Sequence, residues 1–475
     1  MKVSFRKFVL NVGGLGVASL LSRLARFLFI AYAARIVGVN QFGEFSFAIG
    51  IASILIILGD MGLFQIVTRE LSKNKNFQHL SHLMGLKLFL SLFVMVIAVI
   101  VGFYFGKFYT NFRVLFLMVT LYMVVEHFSY LIFSFLRAEN NLIYEALIKI
   151  LNTFLVVLIG IPFVSSFKNA FSISVSYFIA SILSLFFLFQ IYNKKIRSLG
   201  VSYDREIWSY YLKRSYNIAL MGLFFTLYRN MDITMLGWFK LINDVGLYNS
   251  AYKILDVSLM PMVILSSWFF PRISSNVNDE SRFKEIFHSY FILLFLVALY
   301  LGFLIVFWPK EILFLIYGKM YVKAFKVLYL LGVLLVVIYV SRILQDSLIA
   351  LEEEKFIFRS TMVGVVVNFL LNVYLIPKFS YMGAAVATVL TYVVVVILYF
   401  YKFVKIKKFG FISFKITEIL AGLFFIVFIS HFISREVSVF VSGKKIVLGE
   451  PIIFTLIFVF FVYLLFIRLK LRIKI

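Results

Sequence analysis

The feature that most constrains this sequence is a series of apolar runs long enough to cross a bilayer. A spanning helix needs about 20 mostly apolar residues, and about fourteen such runs follow one another, separated by short polar turns. The runs cover roughly 9–36, 42–66, 80–106, 114–136, 142–164, 170–192, 212–238, 245–267, 287–308, 324–348, 357–376, 382–403, 415–433 and 451–468. Strand-type alternation is not the pattern, so we expect an all-α polytopic membrane protein rather than a barrel.

The composition agrees with this interpretation. Hydrophobic residues make up 63% of the 475 residues and charged residues only 15%, whereas soluble proteins have roughly half apolar and a quarter charged residues. The absence of cysteine excludes disulfides, thiolate metal sites and a cysteine nucleophile. The net charge of +25 is spread between apolar runs rather than gathered in a tail, so we expect no nucleic-acid partner.

The basic residues of the loops predict the orientation. Lys and Arg are concentrated on the side that holds the N-terminus, the connection around 194–214 and the tail from Arg468. Because cytoplasmic loops carry the excess of Lys and Arg, both termini are predicted to be cytoplasmic in a multi-pass plasma-membrane protein. The N-terminal run continues past Arg26 without a small-residue cleavage site, so we expect an uncleaved first span.

Weak internal similarity predicts two equivalent halves. The polar connection NKKIRSLGVSYDREIW (193–208) lies between the sixth and seventh runs. An overlay of GVNQFGEFSFA (38–48) on KLINDVGLYNSA (240–251) matches Gly43 with Gly246. A second overlay pairs IPFVSSFKNAFSISVSY with IPKFSYMGAAVATVLTY. Because six runs separate the matched segments, we expect repeats of the same topology: an N-lobe (1–200), a C-lobe (201–405) and two additional helices (406–475).

Three arginines in the first run, Arg23, Arg26 and Arg35, are the first candidates for function. An arginine at the centre of a spanning helix costs about 3 kcal/mol, so it usually faces a bundle interior or a wet cavity. Arg23 and Arg26 share a helix face and have no acidic residue three or four positions away. Guanidinium groups bind phosphate oxygens bidentately, so these three and Arg229, the overlay partner of Arg26, are predicted to bind a diphosphate.

Structural roles remain open for the same arginines. Asp60 or Glu126 could reach Arg23 and Arg26 from neighbouring helices and form ion pairs. Arg35 lies near the outer end of its run and could extend its side chain to the interface.

Other charged residues within the runs occur at helix-neighbour spacing. They are Arg229 with Asp232, Lys253 with Asp256, and Arg342 with Asp346. These are predicted to be either internally compensated pairs or, with Asp60 and Glu126, sites for a coupling ion. Whether that ion is a proton or Na⁺ stays open. No catalytic residues, metal ligands or cofactor are predicted, and no phosphate-cradling loop for ATP is visible.

Several segments resemble a known family. AYAARIVGVNQFGEFSFAIGIASILIILGDMGLFQIVTRELSK (31–73) is similar to the opening of the Wzx-type oligosaccharide flippases, which belong to the multidrug/oligosaccharidyl-lipid/polysaccharide exporter superfamily. VGLYNSAYKI (245–254) and LIPKFSYMGAAVATVLTY (375–392) resemble later segments of that family.

This resemblance implies two six-helix lobes in a V around a central cavity, with two C-terminal helices. It also implies alternating-access transport of an isoprenoid-diphosphate-linked oligosaccharide, an O-antigen or exopolysaccharide-type repeat unit, from the cytoplasmic to the outer leaflet. Arg23 and Arg26 would be the first-helix arginines of the cavity, and glycosyltransferases and a polymerase would be pathway partners.

Two alternatives stay open. A cation-coupled multidrug exporter of the same superfamily would offer acidic and aromatic groups to a cationic drug, against which the first-helix arginines argue. A membrane glycan polymerase or ligase would carry a substantial outer loop with catalytic polar residues, whereas the outer loops of this chain are short and contain no acid/base constellation.

Overall fold

The computed structural model of the protein describes residues 14–74, 79–109, 111–139, 141–193 and 200–407, together with 439–441, 444–446 and Thr455. The predicted helix at 415–433, and that at 451–468 apart from Thr455, lie outside the described residues.

The described chain is almost entirely helical, as expected where a bilayer obliges the backbone to satisfy its own hydrogen bonds. The helices are α1 (Gly14–Asp60), α2 (Leu63–Asn74), α3 (Leu80–Phe105), α4 (Phe112–Ala138), α5 (Leu142–Phe167), α6 (Ala170–Asn193), α7 (Arg205–Trp238), α8 (Ile242–Ser258), α9 (Met260–Ser275), α10 (Glu280–Phe307), α11 (Pro309–Tyr317), a 3₁₀ turn (Lys319–Ala324), α12 (Phe325–Ala350) and α13 (Glu354–Lys407). Two short strands, β1 (Val439–Val441) and β2 (Lys444–Ile446), pair antiparallel.

Two helices are long enough to cross a bilayer twice. The 47 residues of α1 and the 54 of α13 would each extend about 70–80 Å at 1.5 Å per residue, against a hydrocarbon core of about 30 Å. Both are broken where the backbone leaves the helical region, at Gly38 (φ 82°) and at Ser380 (φ 51°). Each therefore provides two crossings.

The described helices agree with the predicted runs. Nine helical stretches of the described residues are long and apolar enough to span a membrane. The two broken ones count twice, and the more polar α7 matches the seventh run. The first twelve predicted runs therefore have helical counterparts, and the prediction of an all-α multi-pass membrane protein is confirmed.

The chain divides into two compact units. The first contains the described residues up to Lys253, with Ile316–Ala324 and Val365–Thr388; the second contains those of Ile254–Leu315, Phe325–Gly364 and Val389–Ile475. In the first unit α1 packs on α4, α5 and α7, and α6 packs on α4 and α5. In the second, α9, α10 and α12 pack on one another. The division into lobes at 200 and 405 stays a prediction.

The two segments of the first overlay contact each other within the first unit. A Cβ on Gly43 would lie 2.0 Å from the carbonyl oxygen of Ile242, and a Cβ on Gly246 would lie 2.2 Å from that of Val39. The overlay places Val39 on Ile242, so the two contacts are equivalent. Such reciprocity is what a two-fold relation produces, and it requires glycine on both sides.

Two tyrosines repeat this reciprocity. The Tyr109 hydroxyl donates to the carbonyl oxygen of Gly237 at 2.7 Å, and the Tyr321 hydroxyl donates to that of Ala34 at 2.8 Å. The overlay also places Ala34 on Gly237. Each of the two overlaid segments therefore supplies a backbone acceptor for a tyrosine.

Candidate functional site

A polar cavity of about 190 Å³ opens between the first half of α1 and helices α4, α5 and α6 of the first unit. We call it the arginine cavity. It is lined by Ser19, Ser22, Arg23, Arg26, Glu126, Ser129, Tyr130, Phe133, Ile148, Lys149, Asn152, Thr153, Ser181 and Ser184. Small hydroxyl residues on α1, α4, α5 and α6 leave the space between the helices that longer side chains would fill.

Arg26 is held in this cavity by two acceptors distant in sequence. Its Nη2 donates to Glu126 Oε1 at 3.0 Å and to Asn152 Oδ1 at 2.6 Å. Its Nε is buried and has no hydrogen-bond partner in the part of the chain that the structure describes. Nη2 of the guanidinium group is therefore occupied, whereas Nε is free to donate to a ligand.

Two further donors of α1 lie beside Arg26. Ser22 is one turn earlier, and its buried hydroxyl has no partner in the described structure. Arg23 is exposed and lines the same cavity, without an ion-pair partner among the described residues. The two arginines predicted to project into a common space do so.

A second group of ion pairs, formed by Glu145 with Lys149 and Arg137, adjoins the cavity where Lys149 lines it. Lys149 donates to Glu145 at 2.6 Å, and Arg137 donates to both oxygens of the same carboxylate at 2.7 Å. The Glu145 side chain is only 1% exposed. Its charge is thus committed to two cations, while the ammonium group of Lys149 still lines the cavity.

The electrostatic balance of the arginine cavity favours an anion. Arg23, Arg26 and Lys149 line it, against the single carboxylate of Glu126. Partly buried charges are screened less than exposed ones, and Arg presents donors in a geometry that matches phosphate. The cavity can therefore bind a small polyanionic group and would repel a cation.

The other two arginines of the predicted set do not line this cavity. Arg35 lies against Gly318, where a Cβ would be 3.2 Å from its Nε. Arg229 is exposed on α7. The structure brings together Arg23 and Arg26, and adds Lys149.

The acidic candidates of the first half have different partners. Glu126 pairs with Arg26, as one of the open alternatives anticipated. Asp60 instead accepts from Lys87 at 2.9 Å. That lysine is 1% exposed and also donates to the carbonyl oxygen of Gly59, so Asp60 neutralises a buried cation rather than an arginine of α1.

Asp232 on α7 forms a separate buried cluster in the first unit. Its Oδ2 accepts from Tyr248 and Thr388, each at 2.5 Å, and its Oδ1 accepts from Asn372 at 2.7 Å. The Asn372 amide also donates to Asn368 Oδ1 at 3.1 Å, while its own Oδ1 is buried without a hydrogen-bond partner. The cluster gathers oxygen atoms at a buried carboxylate.

In the second unit, Arg342 and Asp346 lie at ion-pair distance, as one of the two open interpretations expects. Arg342 Nε lies 3.0 Å from Asp346 Oδ1. Oδ2 of the same carboxylate accepts from Ser266 at 2.5 Å and from Tyr290 at 2.7 Å. We call this group the Asp346 cluster.

The remaining predicted residues, Lys253 and Asp256, lie one turn apart on α8 and are half-buried.

Several contacts that hold the predicted residues in place were not predicted from the sequence. Asn152 is 126 positions from Arg26, and neither its residue type nor its spacing signals the contact. The same is true of Lys87 with Asp60. Glu145 and Lys149, by contrast, carry the four-residue spacing of a helical ion pair, and this signal could have identified them.

Comparison with known proteins gives matches over most of the chain. The profile of the family described as "Polysaccharide biosynthesis protein" matches residues 8–277, and that of the MatE family matches 218–374. A relative from Haloferax volcanii, described as "Probable low-salt glycan biosynthesis flippase Agl15", is 26% identical over 416 residues, 85% of this chain and 84% of that protein.

Solved structures share the fold. The "Lipid II flippase MurJ, inward closed conformation" aligns with a TM-score of 0.74 at 15% identity, covering 96% of this chain and 99% of the other. A multidrug resistance MATE family transporter in an inward-facing conformation aligns with a TM-score of 0.63 at 14% identity, covering 82% and 99%.

Proposed function

The chain belongs to the polysaccharide biosynthesis protein family, and from that premise we propose that it is a flippase for isoprenoid-diphosphate-linked oligosaccharides. The family lies within the exporter superfamily that the sequence resembles, and its members are transporters rather than enzymes. The relative from Haloferax volcanii is described as a glycan biosynthesis flippase, which supports the same substrate class.

The observation that carries the proposal is the free bonding capacity of Arg26 in the arginine cavity. Its Nε is buried without a partner beside the unpartnered hydroxyl of Ser22, and Arg23 adds a second guanidinium group. Arginines that only neutralised carboxylates would have no reason to leave donors free, because an unsatisfied buried donor costs about 1–3 kcal/mol. A diphosphate would accept from all three side chains.

In this proposal the diphosphate occupies the arginine cavity while the isoprenoid chain remains in the bilayer. Fixed positive charge offsets the cost of removing the diphosphate from water. Movement of the N-lobe (1–200) against the C-lobe (201–405) exposes the cavity to each side in turn, with both termini in the cytoplasm. Glycosyltransferases and a polymerase of the pathway supply and consume the glycan.

The Asp232 cluster is our candidate for the coupling ion. Its carboxylate, the amide oxygens of Asn368 and Asn372, and the hydroxyl of Thr388 are hard oxygen donors of the kind that alkali and alkaline-earth cations prefer. The buried Asn372 Oδ1 without a partner fits a ligand position. Na⁺-dependent thermal stabilisation that Asp232→Asn abolishes would support this role, and stabilisation unchanged in that variant would exclude it.

A binding titration on purified protein in nanodiscs tests the main proposal. Three ligands are compared: an isoprenoid-diphosphate-linked glycan, the same lipid-linked glycan without phosphate, and a cationic dye. We expect the diphosphate to bind best and Arg23→Ala/Arg26→Ala to lose at least about tenfold, or about 1.4 kcal/mol.

The second candidate, a cation-coupled drug exporter, rests on the MatE match over 218–374. If the dye binds best and the double variant binds all three ligands as the wild type does, the drug-exporter hypothesis replaces the flippase hypothesis. The charge of the arginine cavity argues against that outcome.

A further inference from the structure

One donor limb of Arg26 is already occupied by groups of the protein itself. A phosphate that binds an arginine side-on accepts from Nε and Nη2 together. Nε is free, but Nη2 donates to the carboxylate of Glu126 and the amide oxygen of Asn152. Because both N–H groups of Nη2 are engaged, a bidentate phosphate must displace either Glu126 or Asn152, and of the two Asn152 is buried whereas Glu126 is partly exposed.

Glu126 is also the anion of this cavity that can be displaced. Its side chain is 21% exposed, and Arg26 is the one cation within ion-pair distance among the described residues. Glu145, the neighbouring carboxylate, is 1% exposed and is held by both Arg137 and Lys149 at 2.6–2.7 Å. Both carboxylates lie near the same cavity, but only Glu126 depends on a group that the ligand needs.

The surroundings of Glu126 determine what happens to its charge on displacement. The titratable groups that face it are Arg26 from α1, Lys149 from α5 and His127 from its own helix. The hydroxyls of Tyr122, Tyr130 and Tyr177 also face it, and Lys87 of α3 is neutralised by Asp60. Lys149 is already bonded to Glu145. None of these groups is a free cation that could replace Arg26, and Arg23, which lines the same cavity, is bound by the diphosphate itself.

We propose that Glu126 is a built-in competitor of the diphosphate, and that diphosphate binding at Arg26 is linked to protonation of Glu126. The inference rests on the proposed function, since it specifies how that substrate enters the arginine cavity. A carboxylate that has lost its guanidinium partner and faces an incoming anion binds a proton more tightly. The Glu126 carboxylate thus takes up one proton from solvent as the phosphate oxygens replace it on Arg26.

This arrangement also sets specificity. A ligand must outcompete a carboxylate that is already positioned, so a monoanion gains little by exchanging with it. A diphosphate brings two negative charges and several acceptor oxygens, enough to use Nε, the Ser22 hydroxyl and Arg23 as well. The competitor therefore discriminates against weakly charged lipids.

The test uses a farnesyl-diphosphate-linked N-acetylglucosamine as probe. Both of its phosphates are diesters, without the second ionisation near pH 6 that a phosphate monoester has, so any pH dependence between 5 and 8 belongs to the protein. Calorimetry in two buffers of different ionisation enthalpy gives the number of protons taken up on binding. The full-length protein is used in nanodiscs.

For the wild type we expect affinity to fall as pH rises, by up to about tenfold per unit, with uptake of up to one proton. Glu126→Gln should bind the probe more tightly at pH 8, by at least about fivefold, with no proton uptake and a flat profile. Asn152→Asp should bind more weakly, because it adds a second anion to Nη2. His127→Gln, the control for the neighbouring titratable group, should keep the wild-type slope.

The outcomes separate the inference from the proposed function. If the wild type binds the probe, Arg26→Ala loses it, and Glu126→Gln matches the wild type in affinity and proton uptake, the competitor inference is wrong while the flippase proposal stands. If the wild type does not bind the probe at any pH, the proposed function itself fails. Opposite shifts in Glu126→Gln and Asn152→Asp cannot arise from a common loss of folding.

Discussion

Two arginine–carboxylate pairs of this protein have the same N···O distance of 3.0 Å and very different surroundings. In the Asp346 cluster the carboxylate is 1% exposed and is also bonded to Ser266 and Tyr290. In the arginine cavity Glu126 is 21% exposed and Arg26 keeps a buried donor free. In the first pair the buried atom without a hydrogen bond among the described residues is an acceptor, Asp346 Oδ1, which lies 3.0 Å from the Arg342 guanidinium, whereas in the second it is a guanidinium donor that an anionic ligand can use. Ion-pair distance alone therefore does not distinguish a structural pair from a binding site.

The largest effect is expected when the Asp346 cluster is broken. Asp346→Ala would remove the shared acceptor of Ser266 and Tyr290 and the carboxylate that neutralises Arg342, and we expect the free energy of unfolding to fall by about 3 kcal/mol or more. Thermal unfolding in detergent measures this. Asp346→Asn is the matched control, because its amide oxygen can still accept from the hydroxyls, and it should be less destabilised. Equal stability of Asp346→Ala and the wild type would contradict a structural role.

Arg26→Ala should have the opposite profile. We expect diphosphate affinity to fall at least about tenfold, or about 1.4 kcal/mol, with less destabilisation than Asp346→Ala. Arg26→Lys keeps the charge but not the bidentate fork, so it should recover only part of the affinity. Binding titration and thermal unfolding of the same preparations measure both. If Arg26→Ala loses stability but keeps its affinity for the diphosphate, Arg26 has a structural role and does not bind the ligand.

Arg23→Ala tests an arginine of the same cavity that has no carboxylate partner among the described residues. We expect a loss of about threefold in diphosphate affinity, roughly 0.6 kcal/mol, since its side chain is exposed and screened. Its melting temperature should equal that of the wild type. Increasing salt should weaken this contribution more than that of Arg26, which a titration at two ionic strengths would reveal.

The smallest effect is expected outside the membrane-spanning segments, at the start of α7. Asp204 accepts from the backbone N–H groups of Ile207 and Glu206, and these bonds lower the pKa of its carboxyl group. A lowered folded-state pKa means that the stabilisation is present above the unfolded value of about 3.9 and is lost as pH falls below it.

Asp204→Ala should therefore lower the melting temperature slightly at pH 7 and have a smaller effect near pH 3. Asp204→Asn, which retains a side-chain acceptor for the cap, should stay close to the wild type at pH 7. A difference between Asp204→Ala and the wild type that grows on acidification would exclude the capping explanation.

Local patterns predicted much of this structure. The apolar runs predicted the described helices, because a bilayer permits few other arrangements. The four-residue spacing of Arg342 and Asp346 indicated a pair, and the missing acidic neighbours of Arg26 left open a phosphate ligand or a carboxylate from another helix. The overlay of Gly43 on Gly246 matched two segments but gave no sign that they touch.

What the sequence could not provide is contact across long separations. Glu126 lies 100 residues and Asn152 126 residues from Arg26, and only the packing of α1 against α4 and α5 brings them together. From the sequence, Asp60 is as plausible a partner for Arg26 as Glu126 is, but in the fold Asp60 pairs with Lys87. Asp60 and Glu126 both carry a carboxylate, and only the fold determines which cation lies close enough to pair with each.

In the proposed function, the arginine cavity carries a diphosphate-linked glycan across the bilayer. The most direct measurement is flipping of a fluorescent isoprenoid-diphosphate-linked glycan in proteoliposomes, followed by its accessibility to a membrane-impermeant quencher, for the wild type, Arg26→Ala and Asp346→Asn. We expect flipping by the wild type and Asp346→Asn and at least about tenfold slower flipping by folded Arg26→Ala. Equal rates for Arg26→Ala and the wild type, or no flipping by any of the three, would contradict it.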